Sequence, residues 1–115
     1  MINDGLKMTG AVAIALNGEV VQEIPNLVVT AGKGYVASRM KDATATAMSH
    51  MAIGTNNTTA AVTQTALSAE VTRGALTSTT VSTNTIAYVE TFAAGTGTGA
   101  IVEAGVFNAS SGGTM

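Results

Sequence analysis

Apolar residues recur at every second position in several short stretches of this chain, which is the period of a β-strand. Over residues 8–16 the side chains alternate small with larger, so that Val12, Ile14 and Leu16 share one face. Asn17-Gly18 follows, a pair that suits the two positive φ angles of a type I′ hairpin turn. Residues 19–24 read as the returning strand, Pro25-Asn26 as a bend or sheet edge, and residues 27–30 as a resumption of the strand. Residues 49–54 alternate again, with Met48, Met51 and Ile53 competing for the buried side. Further strands are predicted over 73–81 and 85–94, joined through Ser82-Thr83-Asn84, with Ile86, Tyr88 or Val89, and Phe92 on a half-buried face. A last strand pair, or one bent strand, covers 100–103 and 105–108, and 110–113 forms a turn.

Two segments break the two-residue period. Tyr35 or Val36 with Arg39-Met40 fits helical spacing, which predicts a short helix over about 31–41 with Thr30 as its cap. Residues 65–70 suit a single helical turn. Residues 42–46 and 55–59 read as loops, and Gly95–Gly99 as a flexible one. Short strands separated by Gly, Asn and Ser turns predict a mainly β fold: an antiparallel β-sandwich or open barrel with one short helix. Residues 1–115 form a single β-rich domain in this reading, without internal repeats, heptads or a linker.

Composition adds a constraint on stability. Hydrophobic residues make up 46% of the 115 positions, but much of that share is Ala, and aromatics contribute 3%. Ala buries little area, and each buried methylene contributes only about 0.8 kcal/mol, so the core is thin. The chain has no Cys and hence no disulfide to reinforce it. Partner subunits are the remaining source of stability, which predicts a homo-oligomer or a protein docked on a larger assembly. Charged residues make up 10%, well below the roughly 25% of an ordinary domain. Five cations without a cluster, and a net charge of −2, argue against binding nucleic acid through phosphate neutralisation. The first seven residues lack a basic segment leading into an apolar run, so they do not read as a signal peptide. No apolar stretch approaches the roughly 20 residues that span a bilayer, and no membrane association is expected.

The inventory for chemistry is short. Gly95-Thr96-Gly97-Thr98-Gly99 invites comparison with a phosphate loop, but the segment after it is strand-like and no Lys follows Lys41. It reads as a hairpin loop. His50, the only histidine, lies in an apolar strand and reads as a solvent-face or subunit-contact residue. One His and scattered carboxylates do not make a zinc site. Glu70, Glu90 and Glu103 are far apart in sequence, so no acid–base pair is legible. Glu103 lies within an apolar run and needs solvent or a partner, for which Arg73 or Arg39 is the candidate. Asn56, Asn57 and Asn108 begin Asn-X-Thr/Ser triplets, which without a secretory signal do not read as glycosylation sites. No catalytic, cofactor-binding or metal-ligating residue is assigned, no cofactor is expected, and the chain does not read as an enzyme.

The order of segments from Met48 to Met115 resembles the phage tail-collar fibre domain and a related group of small phage structural proteins. The carrying motifs are Ser49-His50-Met51-Ala52-Ile53-Gly54-Thr55, then residues 65–73, then the strand pair through Ala94, then Glu103-Ala104-Gly105-Val106-Phe107-Asn108 and its Ser-Gly-Gly-Thr-Met continuation. Residues 26–33 and 37–40 are similar to the second group. The resemblance implies a structural protein of a tailed bacteriophage, made in the bacterial cytoplasm and exposed on the outer surface of the virion. It carries over no catalytic residue. Its partners would be itself and other virion proteins, either the major capsid protein or tail proteins. Capsid decoration (a cement protein) is the favoured role. A tail module, such as an adaptor or fibre-attachment protein, is the alternative, and a carbohydrate-binding module a remote one. Proteins of this kind continue past the Gly-Gly-Thr-Met position with one or two more strands. Two expectations follow: either the native chain continues past Met115, or the sheet presents an open edge that a strand donated by a neighbour would complete.

Overall fold

The computed structural model describes every residue except Asp4 and Leu6. The fold is mainly β, with antiparallel sheets and one helix, and it is open, without a closed barrel among the described residues. The elements in chain order are β1 (Gly10–Leu16), β2 (Glu19–Asn26), α1 (Thr30–Lys41), β3 (His50–Gly54), β4 (Glu70–Ala75), β5 (Ser78–Ser82), β6 (Thr85–Val89) and β7 (Glu103–Phe107). β1 and β2 form one hairpin and β5 and β6 another, while β3 is the middle strand of a three-stranded sheet between β4 and β7.

The first hairpin follows its turn chemistry. Asn17 and Gly18 have φ of 51° and 83°, as a type I′ turn requires. The ladder runs from Leu16 opposite Glu19 to Gly10 opposite Asn26, with a bulge where Ile14 pairs Gln22 and Ala15 pairs Val20. Pro25 sits inside β2 opposite Ala11. It is tolerated because β2 is an edge strand, whose outer side asks for no donor. The strand does not resume at 27–30, as the apolar run suggests. Instead Val29 turns inward to 6% exposure and caps α1, which starts at Thr30. Thr30 is thus the first helical residue, and no side chain caps the helix.

α1 carries Arg39 and Lys41 in its last turn, where they oppose the negative end of the helix dipole. It buries no residue fully and is held by point contacts. The Thr30 amide donates to the Val62 carbonyl at 2.8 Å, and the Met48 amide donates to the Tyr35 hydroxyl at 3.2 Å. Arg39 Nη1 donates to the carbonyls of Ala43 and Ala45, closing the loop that follows.

The three-stranded sheet holds the core. Ala52 and Phe107 are fully buried, and with Val29 they complete the set of buried hydrophobic residues among those described. Both faces of β3 are covered, so Met51 and Ile53 do not simply outcompete the other side: they are half-buried while Ala52 is sealed. The segment 73–81 divides into β4 and β5 between Leu76, whose amide still donates to the Ser49 carbonyl beside β3, and Thr77, whose amide donates to the Val89 carbonyl of the second hairpin. β6 ends at Val89, short of residue 94, and the final strand is the single β7, five residues long. Residues 65–70 form turns rather than a helical turn before β4 begins.

Thr83 closes the β5–β6 loop at φ 54°, an unfavourable region for a β-branched residue. Thr83→Asn is expected to stabilise the protein by about 0.5–1 kcal/mol, since Asn tolerates this conformation. A thermal melt reads this directly, and no gain would show that the loop relaxes the strain at no cost. Phe107→Ala should destabilise by about 3–5 kcal/mol, the usual loss for an aromatic side chain sealed in a core. A denaturant titration with little change in midpoint would place the core elsewhere.

Candidate interaction surface

Two charged side chains lie across the middle of the sheet. In the register, Ala52 of β3 is opposite Arg73 of β4 and Gly105 of β7, and His50 is opposite Phe107. All of these side chains therefore share one face. Arg73 reaches over the small Ala52 to place its guanidinium carbon 3.8 Å from the centroid of the Phe107 ring. Its side chain is only 8% exposed. Nε and Nη2 grip Glu70 at 3.0 and 2.7 Å, and Nη1 donates to the carbonyls of Ala109 and Gly112 at 3.0 and 2.9 Å. Residues 70 and 73 would face opposite ways in a regular strand. The register shift between Ile53 and Gly54 absorbs Val71 as an extra residue and returns Glu70 to the face of Arg73.

Glu103 reaches across the sheet from the other outer strand, without a bulge. It lies opposite Gly54, and its carboxylate accepts the amides of Ala69 at 2.7 Å, Ser68 at 3.0 Å and Asn56 at 3.4 Å. The sequence-based expectation of an arginine partner is therefore corrected for Glu103. Arg73 is held by Glu70, Arg39 binds loop carbonyls next to α1, and Glu103 is satisfied by backbone N–H groups. A Cβ at Gly54 would overlap both the Ala69 carbonyl and Glu103 Oε1, so this close approach requires glycine. The amides of Ser68 and Ala69 both point at Glu103.

The opposite face is covered by loops. Gly97, at φ 67°, rests on Ile53 and Thr72, where a Cβ would collide with the Ile53 Cδ1. Within the exposed Gly95–Gly99 loop, Gly97 is thus the point of contact with the sheet. Glu90 lies against Gly74 and accepts from the Thr77 hydroxyl at 3.2 Å. His50 Nδ1 sits 2.8 Å from Ser49 Oγ. The structure thus spends Glu70, Glu90, Glu103 and Arg73 on tying segments together. Asn108, from one of the three triplets, binds Thr114 through both its backbone N–H and its side-chain oxygen. Asn56 accepts the Thr58 amide at 2.8 Å. Hydrogen bonds from Thr44 hold the exposed Asp42 carboxyl below its usual range. Burial, followed by the proximity of Tyr35, raises the Tyr88 hydroxyl above its own. Among the described residues no group of three His, Asp or Glu is placed to hold a metal ion, and no helix is long and apolar enough to cross a membrane.

What remains available for recognition is the surface of the two hairpins. β2 and β5 are exposed at every position, β1 at all but Val12, and β6 at all but Tyr88. Leu16, Val20, Val21 and Val81 are each more than half exposed. An open depression of about 620 Å³ lies between the β1–β2 turn and the segment after β6, lined by Leu16, Phe92 and small residues. The molecule measures 52 × 28 × 24 Å, with a radius of gyration of 14.6 Å. A compact chain of this length would have a radius of about 13 Å. Its accessible surface is 7942 Å², against about 5,800 Å² for a monomeric globule of the same mass. The alternation in β1 places Val12, Ile14 and Leu16 on one face but does not say whether another segment covers it.

No protein-family profile matches the chain, nor does any curated protein or solved structure.

Arg73→Lys keeps the charge but loses the paired bonds to Glu70 and the contacts to both carbonyls. It should cost about 2–3 kcal/mol in a denaturant titration. A loss below about 0.5 kcal/mol would mean that charge alone, without the guanidinium fork, holds the face together.

Proposed function

We propose that the chain is a non-enzymatic structural protein on the outer surface of a tailed-bacteriophage particle, acting by docking onto other virion proteins as capsid decoration. The observation that carries this reading is the mismatch between a core of three buried hydrophobic residues among those described and an accessible surface of 7942 Å² rich in exposed Val, Ile and Leu. A small core and large exposed apolar strands are what a protein stabilised by neighbours presents. The polar and small-residue surface, with 10% charge, suits a flat contact repeated in many copies. The phage assignment itself rests on the order of motifs from Ser49 to Met115, which resembles the tail-collar fibre domain and small phage structural proteins.

A tail adaptor or fibre-attachment module is the second reading, and that same motif order favours it. The carbohydrate-binding reading has less support. Sugar sites rely on exposed aromatic platforms, whereas Tyr35, Tyr88 and Phe92 are half-buried and Phe107 is sealed.

Quantitative mass spectrometry of purified virions against the major capsid protein tests the proposal. Decoration requires hundreds of copies per particle. A few dozen or fewer would assign the protein to the tail, and absence from virions would overturn the structural reading.

A further inference from the structure

The two edges of the β1–β2 hairpin differ in how they are protected. β2 carries Glu19, Glu23 and Pro25, and such charges and proline block pairing with another strand. β1 reads Gly-Ala-Val-Ala-Ile-Ala-Leu, with neither charge nor proline. In a two-residue hairpin the residues flanking the turn, here Leu16 and Glu19, form a bonded pair. The alternation of an antiparallel ladder then directs the N–H and C=O groups of Ala11, Ala13 and Ala15 outward. A bulge on β2 opposite Ile14 leaves this alternation on β1 intact.

The sequence of that edge is close to symmetric about Ala13. Reading outward in either direction it runs Ala, a β-branched residue, then Ala: Val12 and Ala11 on one side, Ile14 and Ala15 on the other. We infer that β1 is a self-docking edge, along which two copies of this chain pair antiparallel with Ala13 opposite Ala13. This deepens the assembly reading above and rests on it for its biological role. Pairing about Ala13 is isologous, the same patch meeting itself across a two-fold axis. It joins the outward N–H and C=O groups of Ala11, Ala13 and Ala15 to those of the second copy. It also brings Val12 next to Ile14 of the second copy twice, an apolar cross-strand contact. The alternative pairing, β2 to β2, would bring the carboxylates of Glu19 and Glu23 together and meet Pro25 without a donor. Two hairpins joined in this way make a four-stranded sheet, the size at which such strands become independently stable.

A single introduced thiol tests the geometry, because the chain has no cysteine of its own. Bonded antiparallel partners lie about 5.5 Å apart at Cα, within disulfide reach. Ala13→Cys should therefore convert to covalent dimer under mild oxidation at micromolar protein. Glu23→Cys is the control, since the two copies of position 23 would lie three strand spacings apart, about 14 Å, and should stay uncrosslinked. Ala13→Lys should reduce the light-scattering mass to that of a monomer, and mixing it with Ala13→Glu should restore the dimer. The docking edge is overturned if Glu23→Cys crosslinks as readily as Ala13→Cys. It is also overturned if Ala13→Cys stays monomeric while the unmodified protein scatters as an oligomer, an outcome that leaves the assembly reading standing on another surface. A monomeric unmodified protein overturns self-docking alone, since copy number per virion is measured separately.

Discussion

The guanidinium of Arg73 is the contact on which the rest of the central sheet depends. It stacks on the one fully buried aromatic ring, grips Glu70 in two places, and binds two carbonyls of the segment after β7. A nearly buried cation is costly unless its charge and its donors are satisfied. Here the planar fork matches carboxylate geometry while its face matches the ring. Several otherwise arbitrary features follow from it. Ala52 must be small because the side chain passes over it. Val71 must be absorbed in a bulge so that Glu70 faces the right way. The Ala109–Gly112 segment must fold back so that its carbonyls find a donor.

Glu103 repeats the arrangement with the opposite charge. It crosses Gly54 to collect backbone amides from the loop before β4 and from Asn56. In a protein with four aromatic residues, charged side chains with full hydrogen-bond complements take over the bridging work that large apolar groups usually do. The arrangement orders loops well but contributes little net hydrophobic stabilisation, because hydrogen bonds formed on folding replace bonds to water. It explains why a mainly β chain can have a defined centre and still leave most large apolar side chains at the surface.

The hairpins are the counterpart of that centre. They hold together through their turns and ladders, and present Val, Ile and Leu outward rather than covering the sheet. Natural sheets protect such edges. β2 is protected by two glutamates and a proline, while β1, bonded to it, is not. The asymmetry points to association that is directed to one edge, and it connects the thin core to the proposed role in an assembly.

The sequence by itself determined what depends on local geometry. The Asn17-Gly18 turn, the period-two strands around it and the helix near 31–41 are all legible from turn chemistry and side-chain alternation. So was the low charge that argues for a surface of small residues. Tertiary structure alone decided the rest, because it depended on register between distant strands. Nothing local says that Val29 turns into the core instead of extending a strand. Nothing local says that Gly97 of the glycine loop rests on Ile53 and Thr72. Glu103 appears to need a cation until the Ser68 and Ala69 amides are brought to it across β3. Alternation shows which side chains share a face, but not which face another segment will cover. That is why β1, equal in pattern to a core strand, lies at the surface.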